Sequence, residues 1–325
     1  MPEGSPTVRR RELGALLRKL REEKGLSVKD VTEHLLCSPS KVSRIETGQR
    51  GATLRDVRDL CDLYGVSGPA ERDHLMTLAR QGKQQGWWQH YDLPYSTYVG
   101  MEAEAVSIKD YDSAVIPGLL QTNSYARAMF EVPLVEPGLP DNTGDIIEQR
   151  VEARMRRQTV LERDKDPLQF WAILDEAALH RIVGSAGVMS DQLDHVIRVS
   201  QKDNVTVQII PYSAGAHPAM DSTFNIIEFG TSVNDLVYVE GLQGLLYIDR
   251  SDEIERYRQI FKYLSNVAFS SARSLKFLAQ IRDSYALGRL LQLPCPSAGL
   301  CGGPVNHLER VAGRHSLAVW DSDVS

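Results

Sequence analysis

The sequence predicts two folded domains, an all-α N-terminal domain of five helices and an α+β C-terminal domain with a small, mainly antiparallel sheet. Apolar residues recur at helical spacing in the N-terminal part, and from Leu168 onward their period becomes strand-like. Between the two parts, residues 81–86 are polar and contain glycine, as domain linkers often do. We therefore assign residues 1–82 to the first domain, 83–284 to the second, and 285–325 to a tail that we expect to be disordered.

The composition is that of an ordinary globular protein and argues against a membrane protein. The 325 residues suffice for two apolar cores, no apolar run approaches the length of a membrane span, and the N-terminus lacks the apolar segment of a signal peptide. We therefore expect a cytoplasmic protein. The cysteines lie in no zinc-ligand spacing, so neither a metal site nor a disulfide framework is predicted from Cys37, Cys61, Cys295 and Cys301.

The formal net charge of −6 is unevenly distributed. Residues 1–83 contain 16 Lys and Arg against 12 Asp and Glu, a net charge of +4, whereas the remainder contains 21 against 31, a net charge of −10. A basic small domain joined to an acidic large domain is consistent with a protein in which only the first domain meets phosphates. The acidic domain should repel nucleic acid and must serve another purpose.

The first predicted helix runs from Val8 to Gly25. Its buried stripe consists of four leucines, Leu13, Leu16, Leu17 and Leu20. Three arginines, residues 9–11, cluster at its start. They form either a solvated charged surface or a set of phosphate contacts, and both interpretations remain open.

Two short helices joined by a tight turn follow over residues 26–50. Ser27 suits an N-cap, and Asp30 three residues later can complete a capping box. Ser38 followed by Pro39 marks the start of the second helix, because a proline at the first helical position has no N–H to leave unsatisfied. The pattern predicts a helical hairpin whose second helix is presented outward.

The outward face of that second helix carries hydroxyls, an amide and cations, with no carboxylate on its first turn. These residues are Ser40, Lys41, Ser43, Arg44, Gln49 and Arg50. Gly48 is placed to end the helix in a left-handed conformation. A helix with small polar groups at its start and guanidinium groups at its end can enter the major groove of DNA. Two further helices, one capped by Thr53 and one from about Ala70 to Arg80, complete the predicted domain.

Residues 26–48 resemble the helix-turn-helix of the phage-repressor (Cro/C1, or XRE) family. The shared pattern is Leu-Ser-x-x-x-Val-x-x-x-Leu-x-x-Ser-x-x-x-Val-Ser-x-Ile-Glu-x-Gly, and its most specific part is the ending Ile45-Glu46-Thr47-Gly48. An ordinary helical hairpin with the same caps is the alternative. We expect capping and packing alone to explain neither the outward cations nor the Glu-x-Gly ending.

This resemblance implies a transcriptional regulator, most often a repressor, that binds double-stranded DNA at an inverted-repeat operator as a homodimer. Two recognition helices would then enter successive major grooves about 34 Å apart. On this basis we expect base contacts from Val28, Ser38, Pro39, Ser40 and Arg44. We expect phosphate contacts from Arg10, Ser27, Lys41, Ser43, Gln49 and Arg50.

The second domain begins with an aromatic cluster that includes Trp87 and Trp88, either an interdomain packing cluster or the wall of a ligand site. Helices are predicted at 98–114, 125–130, 145–163, 177–183, from Ser190, and at 254–269, with a loop at 137–144. Strands are predicted at 168–174, 205–210, 223–229 and 236–240. The arginines of the charged helix are expected to pair with glutamates in solvent, and they are Arg150, Arg154, Arg156 and Arg157.

Three phrases of this domain resemble the C-terminal domain of actinobacterial helix-turn-helix regulators. They are Tyr111-Asp-Ser-Ala-Val-Ile-Pro-Gly-Leu-Leu-Gln-Thr, Leu174-Asp-Glu-Ala-Ala-Leu-His-Arg and Gly215-Ala-His-Pro-Ala-Met. In that family the domain is one of unknown function (the DUF5753 or Scr1-antitoxin-like type, as in WhiJ-like regulators). The resemblance implies a partnership with a small protein encoded by a neighbouring gene. The candidate ligand or partner contacts are Trp87, Trp88, Tyr111, His217 and Met220.

No nucleophile elbow, phosphate loop or dinucleotide-binding motif is present, and we predict no enzymatic activity, cofactor or metal. Glu176 and His180 have the spacing of two metal ligands on a helix, but without further ligands we interpret them as a surface pair. Ser213, His217 and Asp221 supply the residue types of a catalytic triad within one loop, which provides no triad geometry. The loop around His217 is either the lip of a pocket, a partner contact or a rigid hairpin connection.

Two functions follow from these observations. The first is a sequence-specific DNA-binding regulator whose second domain dimerises and receives a small-protein or small-molecule signal. The second is an antitoxin-like interaction module that sequesters a small partner protein and uses DNA binding only to regulate its own synthesis.

Overall fold

The computed structural model describes residues 4–91, 93–132, 144–230, 233–241 and 244–287. Its helices are α1 Pro6–Glu23, α2 Val28–Leu35, α3 Pro39–Glu46, α4 Leu54–Tyr64, α5 Pro69–Gln81, α6 Ser96–Glu102, α7 Asn123–Phe130, α8 Gly144–Arg157, α9 Glu176–His180, α10 Ala186–Val199, α11 Ser251–Val267 and α12 Ser271–Ala286. Its strands are β1 Ser107–Asp112, β2 Gln169–Asp175, β3 Val205–Ile210, β4 Phe224–Glu228, β5 Leu236–Gly241 and β6 Gly244–Ile248.

Helices α1 to α5 confirm the predicted all-α domain, and three predicted caps start α2, α3 and α4. Ser27 and Thr53 each form a complete capping box, in which the side chain of the third helical residue bonds back to the cap. Ser38 Oγ accepts the N–H of Lys41 at 3.3 Å. The helices enclose one apolar core, which includes Leu13, Leu17, Val31, Val42, Ile45, Val57, Leu60, Cys61, Tyr64 and Leu75.

The second domain is α+β, as predicted, and its sheet has six strands in the order β3-β2-β1-β4-β5-β6. The β1–β2 and β2–β3 pairings are parallel, and the other three pairings are antiparallel. In the register of the sheet, Ile108 of β1 lies opposite Phe170 of β2 and Ile227 of β4. The crossover from β1 to β2 contains α7 and α8, and the crossover from β2 to β3 contains α9 and α10.

Helices cover both faces of this sheet. On one face, α11 packs its buried residues Ile254, Phe261 and Leu264 against strand residues such as Tyr111 and Phe224. On the other face, α10 and α12 close the larger core together with α6 and the aromatic segment that precedes it. Because both faces are buried, the parallel strands β2 and β3 are rich in apolar residues and do not show simple alternation.

The prediction of a helix over 98–114 was wrong beyond Glu102, where the chain turns and forms β1. Ile108 and Tyr111 have helical spacing, but in the strand they enter the cores on opposite faces of the sheet. Between them, Lys109 Nζ donates a 2.8 Å hydrogen bond to Glu228 Oε1 of the neighbouring strand. A central strand with its polar residues paired across the sheet thus mimics the pattern of an amphipathic helix.

β6 and α12 were not predicted. β6 pairs with β5, where Tyr247 lies opposite Tyr238. The last predicted helix, 254–269, corresponds to α11, which ends at Val267. α12 begins beyond it, where Ser270 Oγ accepts the N–H of Arg273. The remaining predicted strands agree with the observed ones to within a residue or two.

Two of the arginines of α8, Arg154 and Arg157, do not form the solvated pairs that were predicted for them, whereas Arg156 is exposed. Arg157 is buried and donates two hydrogen bonds of 2.8 Å to the carboxylate of Glu102 on α6. The guanidinium of Arg154 lies 5.0 Å from the ring centre of Phe130. Their partners are an acid and aromatic rings from other elements, which helical spacing within α8 does not reveal.

The first turn of α1 packs into the second domain. Val8 is 1% exposed and belongs to the core of the second domain, whereas Leu17 of the same helix belongs to the N-terminal core. The backbone N–H of Ser5 donates to Glu104 Oε2 at 2.6 Å, and the guanidinium of Arg9 pairs with the same carboxylate. One helix therefore contributes to both cores.

Two predictions concern regions outside the described residues. The predicted loop at 137–144 is described only at Gly144, and the predicted tail only as far as Leu287. Its first two residues form the end of α12, while Cys295 and Cys301 lie outside the described residues. Within the ranges given above, no helix is long and apolar enough to cross a membrane.

Candidate nucleic-acid interface

The predicted recognition helix, α3, packs on the N-terminal core through its inner face. Val42 and Ile45 are each 3% exposed and lie in the N-terminal core. In the turn before it, Leu36 adopts a left-handed conformation with φ 50°, and its side chain is 91% exposed. The αL residue reverses the chain between α2 and α3, so that the outer face of α3 is presented to solvent.

The end of α3 is bound to α1 by an ion pair and by close backbone packing. Arg21 Nε donates to Glu46 Oε1 at 2.7 Å, and both side chains are largely buried. Nearby, the helices cross so closely at Gly14 that a Cβ there would lie 2.7 Å from the carbonyl oxygen of Glu46. Only glycine permits this approach.

Gly48, after the end of α3, has φ +71°, and a Cβ at this position would lie 2.7 Å from the Cα of Arg11. Both its conformation and its contact with α1 therefore require glycine. Together with the ion pair of Glu46, this explains the Glu-x-Gly ending by packing against α1. Our expectation that packing would not explain the ending was wrong, although the outward cations remain without a packing explanation.

The outward residues of α3 and of the segment after it are exposed, as their pattern predicts. They are Ser38, Pro39, Ser40, Ser43, Arg44, Gln49 and Arg50. Within the described residues, the side chains of Arg44 and Arg50 make no hydrogen bond or ion pair. Ser38 Oγ and Ser40 Oγ lie 3.1 Å apart at the start of the helix. The surface thus presents two unpaired guanidinium groups and a row of hydroxyls.

Lys41 differs from these residues because it already has a partner. Its Nζ donates a 2.7 Å hydrogen bond to Asp56 Oδ1 on α4. Burial alone would raise the pKa of Asp56, but the hydrogen bonds from Lys41 and Thr53 hold it below its usual range. Lys41 therefore contributes to the packing of α3 on α4, and a phosphate contact would have to share its ammonium group.

Two residues of α2 have structural roles beside those predicted for them. Ser27 Oγ accepts the N–H of Asp30 and donates to its carboxylate at 2.7 Å. Val28 is partly buried against the N-terminal core. The hydroxyl of Ser27 is thus engaged in capping, and Val28 offers only part of its side chain to an outside ligand.

The three arginines at the start of α1, residues 9–11, lie near the domain junction. Arg9 pairs with Glu104, and Arg11 pairs with Asp249 at 3.4 Å. Arg10 is partly buried and donates to Thr7 Oγ1 at 3.2 Å. The structure thus provides interdomain roles for Arg9 and Arg11, an interpretation that the sequence did not suggest, and leaves the phosphate contact of Arg10 a prediction.

In the second domain, the three phrases that carry the family resemblance converge at the carboxyl ends of the parallel strands. Tyr111 is the penultimate residue of β1, Asp175 ends β2, and His217 lies in the connection after β3. His217 Nε2 is 3.5 Å from Asp175 Oδ2, and the His217 ring meets that of Tyr111 edge-on at 5.8 Å. The hydroxyl of Tyr111 is buried without a hydrogen-bond partner among the described residues.

Comparison with the families of known proteins gives two matches. Residues 12–75 match the model described as Helix-turn-helix domain, in agreement with α1 to α5. Residues 95–280, more than half of the chain, match the model described as Domain of unknown function (DUF5753).

The chain belongs to the DUF5753 family. The helix-turn-helix match supports a DNA-binding regulator, and the combination of the two domains confirms the predicted resemblance. No curated protein and no solved structure matches the chain.

The DUF5753 domain fixes the connection after β3 by several contacts. The N–H of Ala219 donates to His217 Nδ1 at 3.4 Å, so that His217 bridges its own loop and Asp175. The N–H of Tyr212 donates to Glu176 Oε2 at 2.7 Å, and Glu176 Oε1 lies 3.2 Å from His180 Nε2. Glu176 and His180 thus form the predicted surface pair, and no metal-binding cluster occurs among the described residues.

Asp112 lies at the same edge, directly after Tyr111. Its Oδ1 accepts the N–H groups of Ala114 and Val115, each at 3.2 Å. Burial raises the pKa of Asp112 to about 6, although these two hydrogen bonds act against the increase. The segment 111–115, which begins the first of the three family phrases, thus forms a turn around the partly buried carboxyl group of Asp112.

The aromatic segment before α6 is a packing cluster in this DUF5753 protein. Trp88 is 4% exposed and lies in the core of the second domain. Trp87 is partly buried, and the guanidinium of Arg156 lies 4.5 Å from its ring centre. Met220, in contrast, is 62% exposed beside the His217 loop.

A surface cavity of about 270 Å³ adjoins this loop and was not foreseen from the sequence. It is formed by the segment before β4, the end of β6 and the first half of α11. Its lining consists of Pro218, Ala219, Asp221, Ser222, Phe224, Ile248, Glu253, Arg256, Tyr257 and Ile260. In the sequence, this cavity was indicated only by the alternative in which the loop around His217 forms the lip of a pocket.

Proposed function

We propose that this protein is a sequence-specific transcriptional repressor that binds an inverted-repeat operator as a homodimer and whose DUF5753 domain receives a small-protein or small-molecule signal. The observation that carries the proposal is the outer face of α3, where Arg44 and Arg50 are exposed and unpaired among the described residues. A guanidinium without an internal partner can bind a guanine edge or a phosphate without first breaking an ion pair.

The attachment of α3 to α1 further supports this role. The Arg21–Glu46 pair and the close approach at Gly14 fix the axis of the helix relative to the rest of the domain. A fixed axis favours specific base contacts, because a base-reading side chain must meet its partner within a few tenths of an ångström. We propose base contacts from Val28, Ser38, Pro39, Ser40 and Arg44.

The proposed phosphate contacts come from residues that flank this face. They are Arg10, Ser27, Lys41, Ser43, Gln49 and Arg50. Those of Ser43, Gln49 and Arg50 are best supported, because these side chains are exposed. The positive charge of the first domain and the negative charge of the second would orient the protein on DNA with α3 toward the duplex. We place it in the cytoplasm, on the nucleoid.

The experiment is a titration of the full-length protein on its own promoter DNA at about 50 and about 200 mM salt, with excess competitor DNA. We expect nanomolar binding that survives the competitor, a loss of affinity of about 10³-fold or more at the higher salt, and two protomers per operator. Binding that the competitor abolishes at both salt concentrations would contradict the proposal and favour the antitoxin-like interaction module.

A second titration addresses the signal. The small protein encoded by a neighbouring gene is added to the preformed protein–DNA complex at increasing concentration. Release of the DNA would identify the DUF5753 domain as its receptor. Unchanged DNA binding would leave a small molecule as the signal of this domain.

A further inference from the structure

The cavity between the His217 loop and α11 combines an apolar floor with a charged rim. Ala219 and Phe224, each 2% exposed, and the partly buried Tyr257 form the floor. Asp221 and Arg256 are exposed and form part of the rim. Small-molecule sites commonly have this arrangement, with apolar surface for affinity and a few polar groups for orientation.

The rim charges are available to a ligand. Within the described residues, Asp221 and Arg256 take part in no hydrogen bond or ion pair of their side chains, and Glu253 has only a 3.8 Å contact with Arg250. The two carboxylates come from different elements, the loop and α11. An ammonium group and a carboxylate group on one ligand would match both signs of charge on this rim.

We propose that this cavity binds a compact zwitterion with an apolar side chain, the chemistry of a large apolar α-amino acid. The ammonium group would face Asp221 and Glu253, the carboxylate would face Arg256, and the side chain would cover Phe224 and Tyr257. A volume of about 270 Å³ lies near the lower end for ligand pockets and therefore requires a small molecule. The inference rests on the proposed function, because it names the signal of the same regulator.

The cavity is next to the junction between the two domains. Ile248 lines it, and the following residue, Asp249, pairs with Arg11 of α1 at 3.4 Å. A ligand that packs on Ile248 therefore contacts the segment that holds α1. This position makes the cavity a suitable site for an effector.

The test uses the full-length protein without DNA, and thermal unfolding and calorimetric titration as readouts. The probes are L-phenylalanine and L-leucine, with 2-phenylethylamine and 3-phenylpropionate as analogues that lack the carboxylate or the ammonium group. At a concentration tenfold above its dissociation constant, the better amino acid should raise the Tm by about 2–4 °C. Each analogue should bind at least about tenfold more weakly than L-phenylalanine, since it loses one charged contact.

Two variants and one control locate the site. Asp221→Asn and Arg256→Gln should each weaken binding of the amino acid by about tenfold. Asp252→Asn is the control, because Asp252 is an exposed acid on α11 that pairs with Arg250 and does not line the cavity. It should leave the affinity unchanged.

Three results would overturn the inference: no stabilisation by either amino acid, equal binding of L-phenylalanine and both analogues, or unchanged affinity in both cavity variants. If a variant failed to fold, the comparison of the analogues on the wild-type protein would still test whether the cavity recognises both charged groups of the ligand. The measurement involves no DNA, so its failure would leave the outcome of the promoter titration unaffected.

Discussion

Arg21 of α1 and Glu46 of α3 form an ion pair in which the two nitrogen–oxygen distances are 2.7 and 3.1 Å. The side chains are 11% and 8% exposed, so the pair is largely withdrawn from water. Arg21 also donates to the backbone oxygen of Leu26 at 2.8 Å. One guanidinium group thus fixes both the loop that enters the helix-turn-helix and the end of α3.

Replacing Glu46 by Gln should lower the free energy of unfolding by about 3 kcal/mol, because it leaves the buried guanidinium of Arg21 without its counter-charge. Chemical denaturation measures the change. The control is Glu22→Gln, which removes an acid that is 54% exposed and contacts the same arginine at 3.5 Å. That change should cost less than about 1 kcal/mol, and equal effects of the two substitutions would contradict the assigned role of Glu46.

Gly48→Ala should destabilise the N-terminal domain more than Gly25→Ala. Both glycines have positive φ, +71° and +67°, so alanine costs about 1–2 kcal/mol of backbone energy at each. At Gly48 the added Cβ would also collide with the backbone of Arg11, whereas at Gly25 no atom lies within 4 Å. We expect a difference of at least about 1 kcal/mol between the two variants in chemical denaturation. Equal destabilisation would mean that α1 shifts and accommodates the added Cβ without a further loss of stability.

Arg44→Ala should weaken operator binding by about 1–3 kcal/mol and relax discrimination at one base pair, without lowering the Tm. The Tm should not fall because the exposed Arg44 side chain makes no hydrogen bond or ion pair within the described residues. Titration against operators mutated one base pair at a time measures both effects. The control is Arg198→Ala, which removes an exposed arginine of the DUF5753 domain that pairs with Asp194. Unchanged operator affinity for the Arg44 variant would remove this residue from the proposed interface.

Asp112 should make the protein less stable as the pH rises from about 4 to about 6. Burial raises its pKa to about 6 in the folded protein, whereas the unfolded chain has a value near 4. The folded state therefore binds the proton more tightly in this range and loses that advantage as the proton leaves. Asp112→Asn should remove about 2 kcal/mol of the fall in unfolding free energy between pH 4 and pH 7. Asp191→Asn, at an exposed acid of α10, serves as the control, and a parallel pH profile for Asp112→Asn would contradict the expectation.

The junction between the domains should loosen when its acidic groups are neutralised. Glu104 holds Ser5 and Arg9, and Asp249 holds Arg11. The double variant Glu104→Gln with Asp249→Asn should be cleaved faster by trypsin at Lys83, which is exposed just after the end of α5. The control pair Asp252→Asn with Glu255→Gln removes the same charge from the surface of α11. Equal cleavage rates would mean that apolar contacts such as that of Val8 suffice to hold the junction.

The N-terminal domain could be predicted well because its helix limits depend on local chemistry. Ser27, Ser38 and Thr53 cap helices with bonds to residues three positions away, and Gly65 ends α4 in a left-handed conformation. Such signals lie within one helical turn of the helix end that they determine. The structural role of the Glu-x-Gly ending was harder to predict, because the partner of Glu46, Arg21, lies 25 residues before it.

The second domain was predicted less well because its decisive contacts are distant in sequence. The local pattern of β1 predicts a helix, because the partner of Lys109, Glu228, lies 119 residues away. The pattern of α8 predicts a solvated Arg157, because its partner, Glu102, lies on another helix. The cavity likewise depends on the meeting of a loop, a strand end and α11, and no local pattern indicates that meeting.

The sharing of α1 between the two cores has a mechanical consequence. An α-helix of 18 residues is about 27 Å long, and this one is anchored in the DUF5753 domain at Val8 and beneath α3 at Gly14 and Arg21. A tilt of about 10° at the anchored start would displace its far end by about 5 Å. In the proposed dimer on B-DNA, opposite tilts of the two helices would change the spacing of the two α3 helices by a large part of one groove width. α1 thus couples the two domains mechanically. Small rearrangements of the DUF5753 domain around Val8 would determine whether the two α3 helices of the proposed dimer fit the same face of the duplex.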